Sequence, residues 1–579
     1  MYKYASLLAV VFAALVNPGS TRAEDWPTFM HDGHRSGVTA ERLELPLSQS
    51  WVFKATHRPE PAWPGPAKQD YWHRQFNLRS TVAYDRVFHV VGAGGTIFFG
   101  SSADDKVYAL DARTGKERWA FFTEGPVRLA PFVSGNKVYV GSDDGYVYCL
   151  SHGSGSLLWK HKAADADRMI PGNGRVISMW AIRTGLLVDK GSLYFAAGLF
   201  PNQGTFLSAL NAEDGTVRWK REVDISPQGY LLASDERLYV PTGRTNPAIF
   251  ARADGRPLGE LPSAGGTFAL LTENALVTGP GRQSQELSAS DVGTKDRIAK
   301  FGGIRMLVSG PTAYMQSEKQ LSAFDRGLYL ELSRKRSVLT RQYDKIKDQL
   351  KKVGKNAVQA KPLQEQLRSL SAQINDLSQK MKDCYLWTIK CKYPYSMIMA
   401  GDVLFTGGQN EIAAFGTEDG KAIWKASVTG KAYGLSVVNG GLYVSTDVGR
   451  IYCFRNGGKV IASEINVSPQ PNDSLMQWCA NTAKLIIEQT GIEKGYCLIL
   501  GGGRGGRLAC ELARRSDLKI VCVEEDAKEV AAAREVIDKA GLYGRVVVHH
   551  KDSETLPYTD YFANLIVSDK TLSASSADE

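Results

Sequence analysis

The stretch KVYALDARTGKERW, residues 106–119, decides the fold. Apolar and polar residues alternate on both sides of a D-x-x-x-G segment, so two short strands each bury one face. The Asp opens the turn, and the Gly can take the positive φ that closes it tightly. The stretch returns as YVYCLSHGSGSLLW (146–159), FLSALNAEDGTVRW (206–219) and EIAAFGTEDGKAIW (411–424). Weaker copies are PAIFARADGRPLGE (247–260), QELSASDVGTKDRI (285–298), KQLSAFDRG (319–327) and RIYCFRNGGKV (450–460). A further short strand precedes the copies, as in KVYVGSDDG (137–145) and RLYVPTG (237–243).

One four-stranded sheet per ~40 residues, repeated around an axis, predicts a propeller. Eight copies predict eight blades. The Trp that closes strong copies (Trp119, Trp159, Trp219, Trp424) is a flat side chain suited to packing between neighbouring sheets. SQSWVFK (48–54) is placed to supply the strand that closes the ring. The fold class is therefore mainly β, an eight-bladed β-propeller over 24–465. An antiparallel coiled-coil hairpin is inserted between blades at 328–384, and a partial α/β Rossmann-like domain follows at 475–579.

The composition agrees. The chain has 579 residues, 43% hydrophobic and 23% charged, enough apolar surface for more than one core. Its 57 Gly and 24 Tyr favour turn-rich β structure. The first residues carry Lys3, an apolar run from Ala5 to Val16, and the small-residue site Thr21-Arg22-Ala23. That is the pattern of a secretory signal over 1–23, too short to span a bilayer, and it predicts a periplasmic or extracellular protein. Eight Cys are present, none adjacent and none in a C-x-x-C pair. Cys384 and Cys391 could pair in an exported protein. Cys497, Cys510 and Cys522 read as small buried thiols.

YALDARTGKERW resembles the pyrroloquinoline-quinone-like repeat family, and DWPTFMHDGHRSGVT (25–39) is similar to the opening that precedes such propellers. The resemblance implies a propeller over about 25–460. Quinone-dependent members use a vicinal Cys pair, a calcium site and an aspartate base. The missing Cys pair argues against bound quinone, and a binding or scaffold role is expected instead. Near blades two and three, about 20 extra residues include Arg168, Arg175, Trp180 and Arg183. With EGPVRLAP (124–131) they could line a funnel for an anion, or bond loop carbonyls.

From 332 to 382 the period changes. Leu339, Tyr343, Ile346, Leu350 and Val353, then Leu363, Leu367, Leu370, Ile374, Leu377 and Met381, step alternately by three and four. Residues 333–382 hold 13 Lys and Arg against 4 Asp and Glu, a surplus of nine that equals the net charge of the whole chain. Such an arm suits an acidic protein partner or an anionic surface. Without interleaved aromatics it is a poor nucleic-acid site.

GYCLILGGGRGGRLACELA (495–513) reads as strand, glycine turn and helix. Gly501, Gly503 and Gly505 let the backbone approach a ligand, and Glu524 ends the next strand, where an acid can hold two ribose hydroxyls. The set resembles class I S-adenosylmethionine-dependent methyltransferases, which implies S-adenosylmethionine as cofactor and places Asp552 near its adenine. Read from Gly501, Gly503 and Gly506, the loop also fits an NAD-type motif. Ile499 stands where the resemblance implies an acid. Four strands are visible of the seven implied, so the half-domain is a remnant, or a partner completes it. No catalytic residue and no metal ligand is assigned.

Overall fold

The repeat folds as its alternation requires. The structure is a computed structural model describing residues 24–62, 75–76, 84–243, 245–263, 265–266, 268–281, 286–353, 357–458 and 474–568. The signal stretch 1–23 lies outside them. In the first sheet the antiparallel strands Val91–Ala93, Thr96–Gly100, Lys106–Asp111 and Glu117–Phe122 follow in spatial order. The same order recurs over 132–162, 187–222, 232–260, 268–301, 305–390 and 396–438. The 17-residue strand Ala422–Val438 serves two sheets. Its first half ends the seventh, and its second half pairs with Gly441–Thr446 in a last sheet completed by Arg450–Asn456 and Leu47–Lys54. First strands of successive sheets touch one another, so the sheets stand around an axis. The strand from SQSWVFK closes the ring, with Trp51 opposite Cys453 and Phe53 opposite Ile451.

The blade-closing tryptophans explain why the turn needs glycine. Five indoles, those of Trp51, Trp119, Trp159, Trp219 and Trp387, lie on the turn glycine of the following sheet, whereas Trp424 meets no turn glycine among the described residues and donates to the Leu47 carbonyl of the closing strand at 2.9 Å. A Cβ on Gly115 would stand 2.6 Å from Trp51, on Gly155 2.5 Å from Trp119, and on Gly215 2.7 Å from Trp159. The same holds for Gly255 on Trp219 at 2.6 Å and Gly420 on Trp387 at 2.8 Å. The indole N–H donates to a carbonyl of that turn: Trp119 to His152 at 3.0 Å, Trp159 to Glu213 at 3.1 Å, Trp219 to Arg252 at 2.9 Å, Trp387 to Thr417 at 3.0 Å. Two sheets lack the Trp. Gly259 takes its place in the fourth, where Lys295 of the next sheet reaches the Leu258 carbonyl. Ala299 takes it in the fifth, where a helix packs instead and Ser333 donates to the Ile298 carbonyl at 2.7 Å.

Residues 24–41 run across the axis and bond the inner strands in turn. Trp26 exchanges two backbone hydrogen bonds with Gly92 at 2.8 Å, Val133 donates to Pro27 at 2.7 Å, and Leu271 donates to His34 at 2.9 Å. Val38–Thr39 pairs in parallel with Met399 and Ala400. Arg35, 1% exposed, sits at the centre. Its guanidinium donates to the Leu231 carbonyl at 2.9 Å, to Thr28 Oγ1 at 2.9 Å and to the Phe29 carbonyl at 3.1 Å.

Two expectations are corrected. The helical hairpin, α1 (Arg326–Val353) and α2 (Ala357–Asp383), does not lie between two blades. It replaces the turn between the third and fourth strands of the sixth sheet, because Gln320–Asp325 pairs directly with Tyr385–Lys390 on either side of it. Arg336 near the start of α1 reaches Met381 near the end of α2, so the helices run antiparallel. The second correction concerns Cys384 and Cys391, both buried thiols. They flank the six-residue strand Tyr385–Lys390, which at ~3.3 Å per residue holds them far beyond disulfide reach.

The last segment forms a four-stranded parallel sheet in the order Val546–His550, Asp517–Glu524, Lys494–Leu500, Leu565–Ser568. With it go α3 (Ser474–Thr490), α4 (Arg507–Arg515) and α5 (Ala527–Lys539). No helix among the described residues is long and apolar enough to cross a membrane.

The indole seats give a direct test. Gly155 has φ +70° against the Trp119 ring, whereas a Cβ on Gly153, two residues earlier, would meet nothing within 4 Å. Gly155→Ala should cost about 2–4 kcal/mol from left-handed strain and overpacking, and Gly153→Ala less than about 1 kcal/mol. Denaturant midpoints at unchanged slope measure both.

Candidate functional site

The glycine loop is built by its backbone. Gly501 donates to Val523 at 2.9 Å and so ties the end of the first strand to the second. Gly503, Arg504, Gly505 and Gly506 have φ of 61°, 56°, 65° and 80°, a run that only glycine adopts freely. Gly506 precedes α4, and the loop turns onto that helix through Gly506 to Gly502 at 2.8 Å and Leu508 to Gly503 at 3.0 Å. The Arg504 guanidinium stacks 5.0 Å from the Trp478 ring of α3.

Glu524 stands over this loop. A Cβ on Gly502 would lie 3.0 Å from its Oε2, so a residue larger than glycine there would push the carboxylate away. Its Oε1 accepts from the backbone N–H groups of Glu525 and Asp526 at 2.9 and 3.0 Å, which fixes the side chain. Asp552 is exposed and caps its own turn, accepting from Glu554 at 2.8 Å and Thr555 at 3.2 Å. Its neighbour Ser553 bonds Glu525 and brings the Asp552 loop beside the Glu524 end. Thus Gly501, Gly503, Gly505, Glu524 and Asp552 gather at the carboxyl ends of adjacent strands. Ile499 is fully buried in the core below them and offers no polar group.

The α/β unit does not stand alone. The alternating set Tyr496, Lys519 and His549 faces away from the thiols Cys497 and Cys522, toward the propeller. The inserted hairpin Met169–Gly172/Arg175–Ser178 lies against that face. Met169 accepts from Thr559 at 3.0 Å and donates to Pro557 at 2.7 Å, and Tyr496 donates to the Arg175 carbonyl at 3.4 Å. Met169 and Val176 belong to the same apolar cluster as Val521 and Val547. Of the two readings of the insertion, Arg175 follows the second, a bond to a loop carbonyl. Arg175 is buried and bonds the Ser102 carbonyl at 3.2 Å and Asp105 at 2.5 Å, while the hairpin around it clamps the α/β unit.

Charge completes the dock, through residues the sequence did not single out. Glu124, after the first sheet, accepts from the His550 N–H at 3.1 Å and pairs with Arg534 at 3.5 Å and Lys551 at 3.7 Å. Burial would raise its carboxyl, but the surrounding cations hold it below the ordinary glutamate value. Lys106 pairs with Asp538 at 2.7 Å, and Phe122 packs on Tyr543 with ring centres 4.7 Å apart. His549 is buried, bonds Tyr558 at 2.8 Å, and is pushed down by burial to about 4, with Glu124 pulling the other way.

A second concavity lies on the axis. A cavity of about 110 Å³ has Trp26 and Phe29 of the crossing segment in its wall, together with Arg86, Arg305, Tyr395 and Tyr433. No carboxylate lines it among the described residues. Neither arginine was singled out by the sequence, because neither lies in the stretches where the repeat is legible.

The His549 environment sets a pH signature. Its folded value lies below the ordinary histidine value, so the unfolded chain binds the extra proton between about pH 6.5 and 4. Its share of stability is present above that window and lost as pH falls through it. His549→Gln should flatten the fall in denaturation midpoint over that range, and Glu124→Gln should speed hydrogen exchange of the Val546–His550 strand relative to the propeller. Identical pH profiles and exchange rates would contradict this dock.

Residues 69–229 and 143–258 match the family described as outer membrane protein assembly factor BamB. The quinoprotein ethanol dehydrogenase of Pseudomonas aeruginosa is 28% identical over 185 residues, 28% of this chain and 27% of that protein. The outer membrane protein assembly factor BamB of Moranella endobia is 30% identical over 154 residues, 25% of this chain and 32% of that one. The chain spans between 18% and 52% of the curated relatives it matches. Among solved structures, the quinohemoprotein alcohol dehydrogenase from Comamonas testosteroni aligns with a TM-score of 0.49 at 12% identity, covering 80% of this chain and 85% of that one. Residues 69–258 are thus similar to the pyrroloquinoline-quinone-like repeats of the BamB family, and parts of the chain are similar to quinoprotein dehydrogenases.

Proposed function

We propose that this chain is an exported scaffold or binding protein: an eight-bladed propeller that carries an S-adenosylmethionine-binding α/β half-domain. The observation that carries the reading is the dock. The face of the parallel sheet opposite the thiols is covered by the propeller's own hairpin, through Met169 and Val176. A half-domain of four strands thereby gains its second layer in cis. The signal pattern of residues 1–23 and the words "outer membrane" in the name of the matched family support an exported location.

The loop fits the cofactor chemically. Glu524, held by two backbone N–H groups beside Gly502, would accept the ribose hydroxyls, the Gly501–Gly505 backbone would border the methionine moiety, and Asp552 would flank the adenine. S-adenosylmethionine supplies an activated methyl group when bound. Ile499, buried where the resemblance implies an acid, offers no polar group to the cofactor and weakens its hold. The basic hairpin, with half-buried seam residues and an exposed charged surface, is the arm by which the scaffold meets an acidic protein or an anionic surface.

Calorimetric titration of the mature chain tests this reading. S-adenosylmethionine should bind at micromolar affinity and NAD should not. Gly503→Asp and Glu524→Ala should each weaken binding at least about tenfold, roughly 1.4 kcal/mol. A folded chain that takes neither ligand would leave the propeller and its arm as the functional parts.

A further inference from the structure

The axial cavity is a charged site with no partner for its charge. Arg86 uses one nitrogen, donating from Nη1 to the Tyr433 hydroxyl at 3.3 Å, and its guanidinium stacks 5.2 Å from the Tyr433 ring. Arg305 also uses one, with Nη1 shared between Gln316 Oε1 at 3.1 Å and the Pro394 carbonyl at 2.6 Å. Each guanidinium has five N–H donors, so most of them have no acceptor among the described residues. Burial pulls Arg305 down to about 10, Tyr433 opposes this, and the nearby Arg86 cation adds to it. No carboxylate pairs with either arginine among the described residues. Two cations crowded into a half-buried cavity are costly until an anion or water compensates them.

The quinone of the dehydrogenases does not fit here. An engineered apolar cavity of about 150 Å³ holds one benzene, and this one, at about 110 Å³, is smaller. No group of three or more His, Cys, Asp or Glu among the described residues could hold the accompanying metal ion. The chain has no adjacent Cys pair. A small oxyanion fits on both counts, size and charge. The tyrosines add acceptor-tolerant walls: the rings of Tyr395 and Tyr433 lie 4.8 Å apart, and Lys431 stands 5.7 Å over Tyr395 as a third cation. His89 is held neutral by burial, at about 4, and adds no charge.

We infer that the axial cavity binds a small oxyanion, a carboxylate or a phosphate, held by the guanidiniums of Arg86 and Arg305 beside Tyr433. The inference stands on the propeller alone and is independent of the glycine loop. Anion binding to a charged fork is bidentate in character, so arginine should not be replaceable by lysine without loss.

The test is calorimetry and thermal unfolding of the full mature chain at fixed ionic strength. The probes are inorganic phosphate, succinate, chloride and pyrroloquinoline quinone. Phosphate or succinate should bind with a saturable heat and raise the unfolding temperature, and chloride should not. Arg305→Gln and Arg86→Gln should each weaken that binding at least about tenfold, whereas Arg113→Gln on an exposed turn of the first sheet should leave it unchanged. Preference for phosphate or for succinate names the source of the oxyanion. Equal effects of all anions, a response unchanged in both arginine variants, water as the only occupant, or one-to-one quinone binding would each overturn the inference. Should a Gln variant fail to fold, Arg305→Lys and the selectivity of the wild-type chain over chloride decide.

Discussion

The contact on which this architecture rests is an indole lying on a glycine. At five seams of the ring, the Trp at the end of one sheet covers the turn glycine of the next and donates its N–H to a carbonyl of that turn. A buried indole removes ~200 Å² from water, about 5 kcal/mol at ~25 cal/mol per Å², and the hydrogen bond fixes where it sits. The interaction explains two features of the repeat at once. The fourth strand ends in Trp because it must reach the neighbour, and the turn carries Gly because a Cβ would collide with the ring. Trp51 makes the same contact with Gly115, so the first sheet is seated by a strand that precedes it in the chain. Ring closure is therefore a long-range event, and the N-terminal segment is part of the ring rather than a leader to it.

The same segment then fills the axis. Pro27, Gly33, His34 and Gly37 offer backbone carbonyls to the inner strands, and Arg35 spends its donors on carbonyls that would otherwise be buried unsatisfied. What remains of the axis is the small cavity beside Trp26 and Phe29. Arg35 and the pair Arg86 and Arg305 thus differ in kind. The first has its hydrogen-bonding groups matched within the fold, and the other two do not.

Much of this was legible in the sequence. Period-two alternation and the D-x-x-x-G turns give the strands, and SQSWVFK identifies the closing strand because it carries the same Trp. The glycine loop and Glu524 were legible for a similar reason, since backbone geometry forces glycine at fixed spacing. Trp387 was hidden because about 60 residues of helical arm separate it from its own turn, and local spacing cannot see across an insertion. The position of the arm inside the sixth sheet was hidden for the same reason. Arg86, Arg305 and Glu124 left no signal, because their roles come from neighbours hundreds of residues away. The insertion around Arg175 was visible as extra length. Its purpose, a clamp on the α/β unit, needed the tertiary contact with Tyr558 and Tyr496.

The two halves of the molecule are joined in a way that makes each informative about the other. Glu124 and Lys106 lie on the propeller and pair with Arg534, Lys551 and Asp538 on the α/β unit, so the charges of one half are balanced by the other. The central claim is that residues 24–54 belong to the ring itself, as its axle and its closing strand. Native-state hydrogen exchange tests it most directly. The account predicts that the amides of Trp26, Arg35, Gly37 and Phe53 exchange only with global unfolding, at the rate of the inner strands. Exchange of those amides at loop rates, while the blades stay protected, would contradict it.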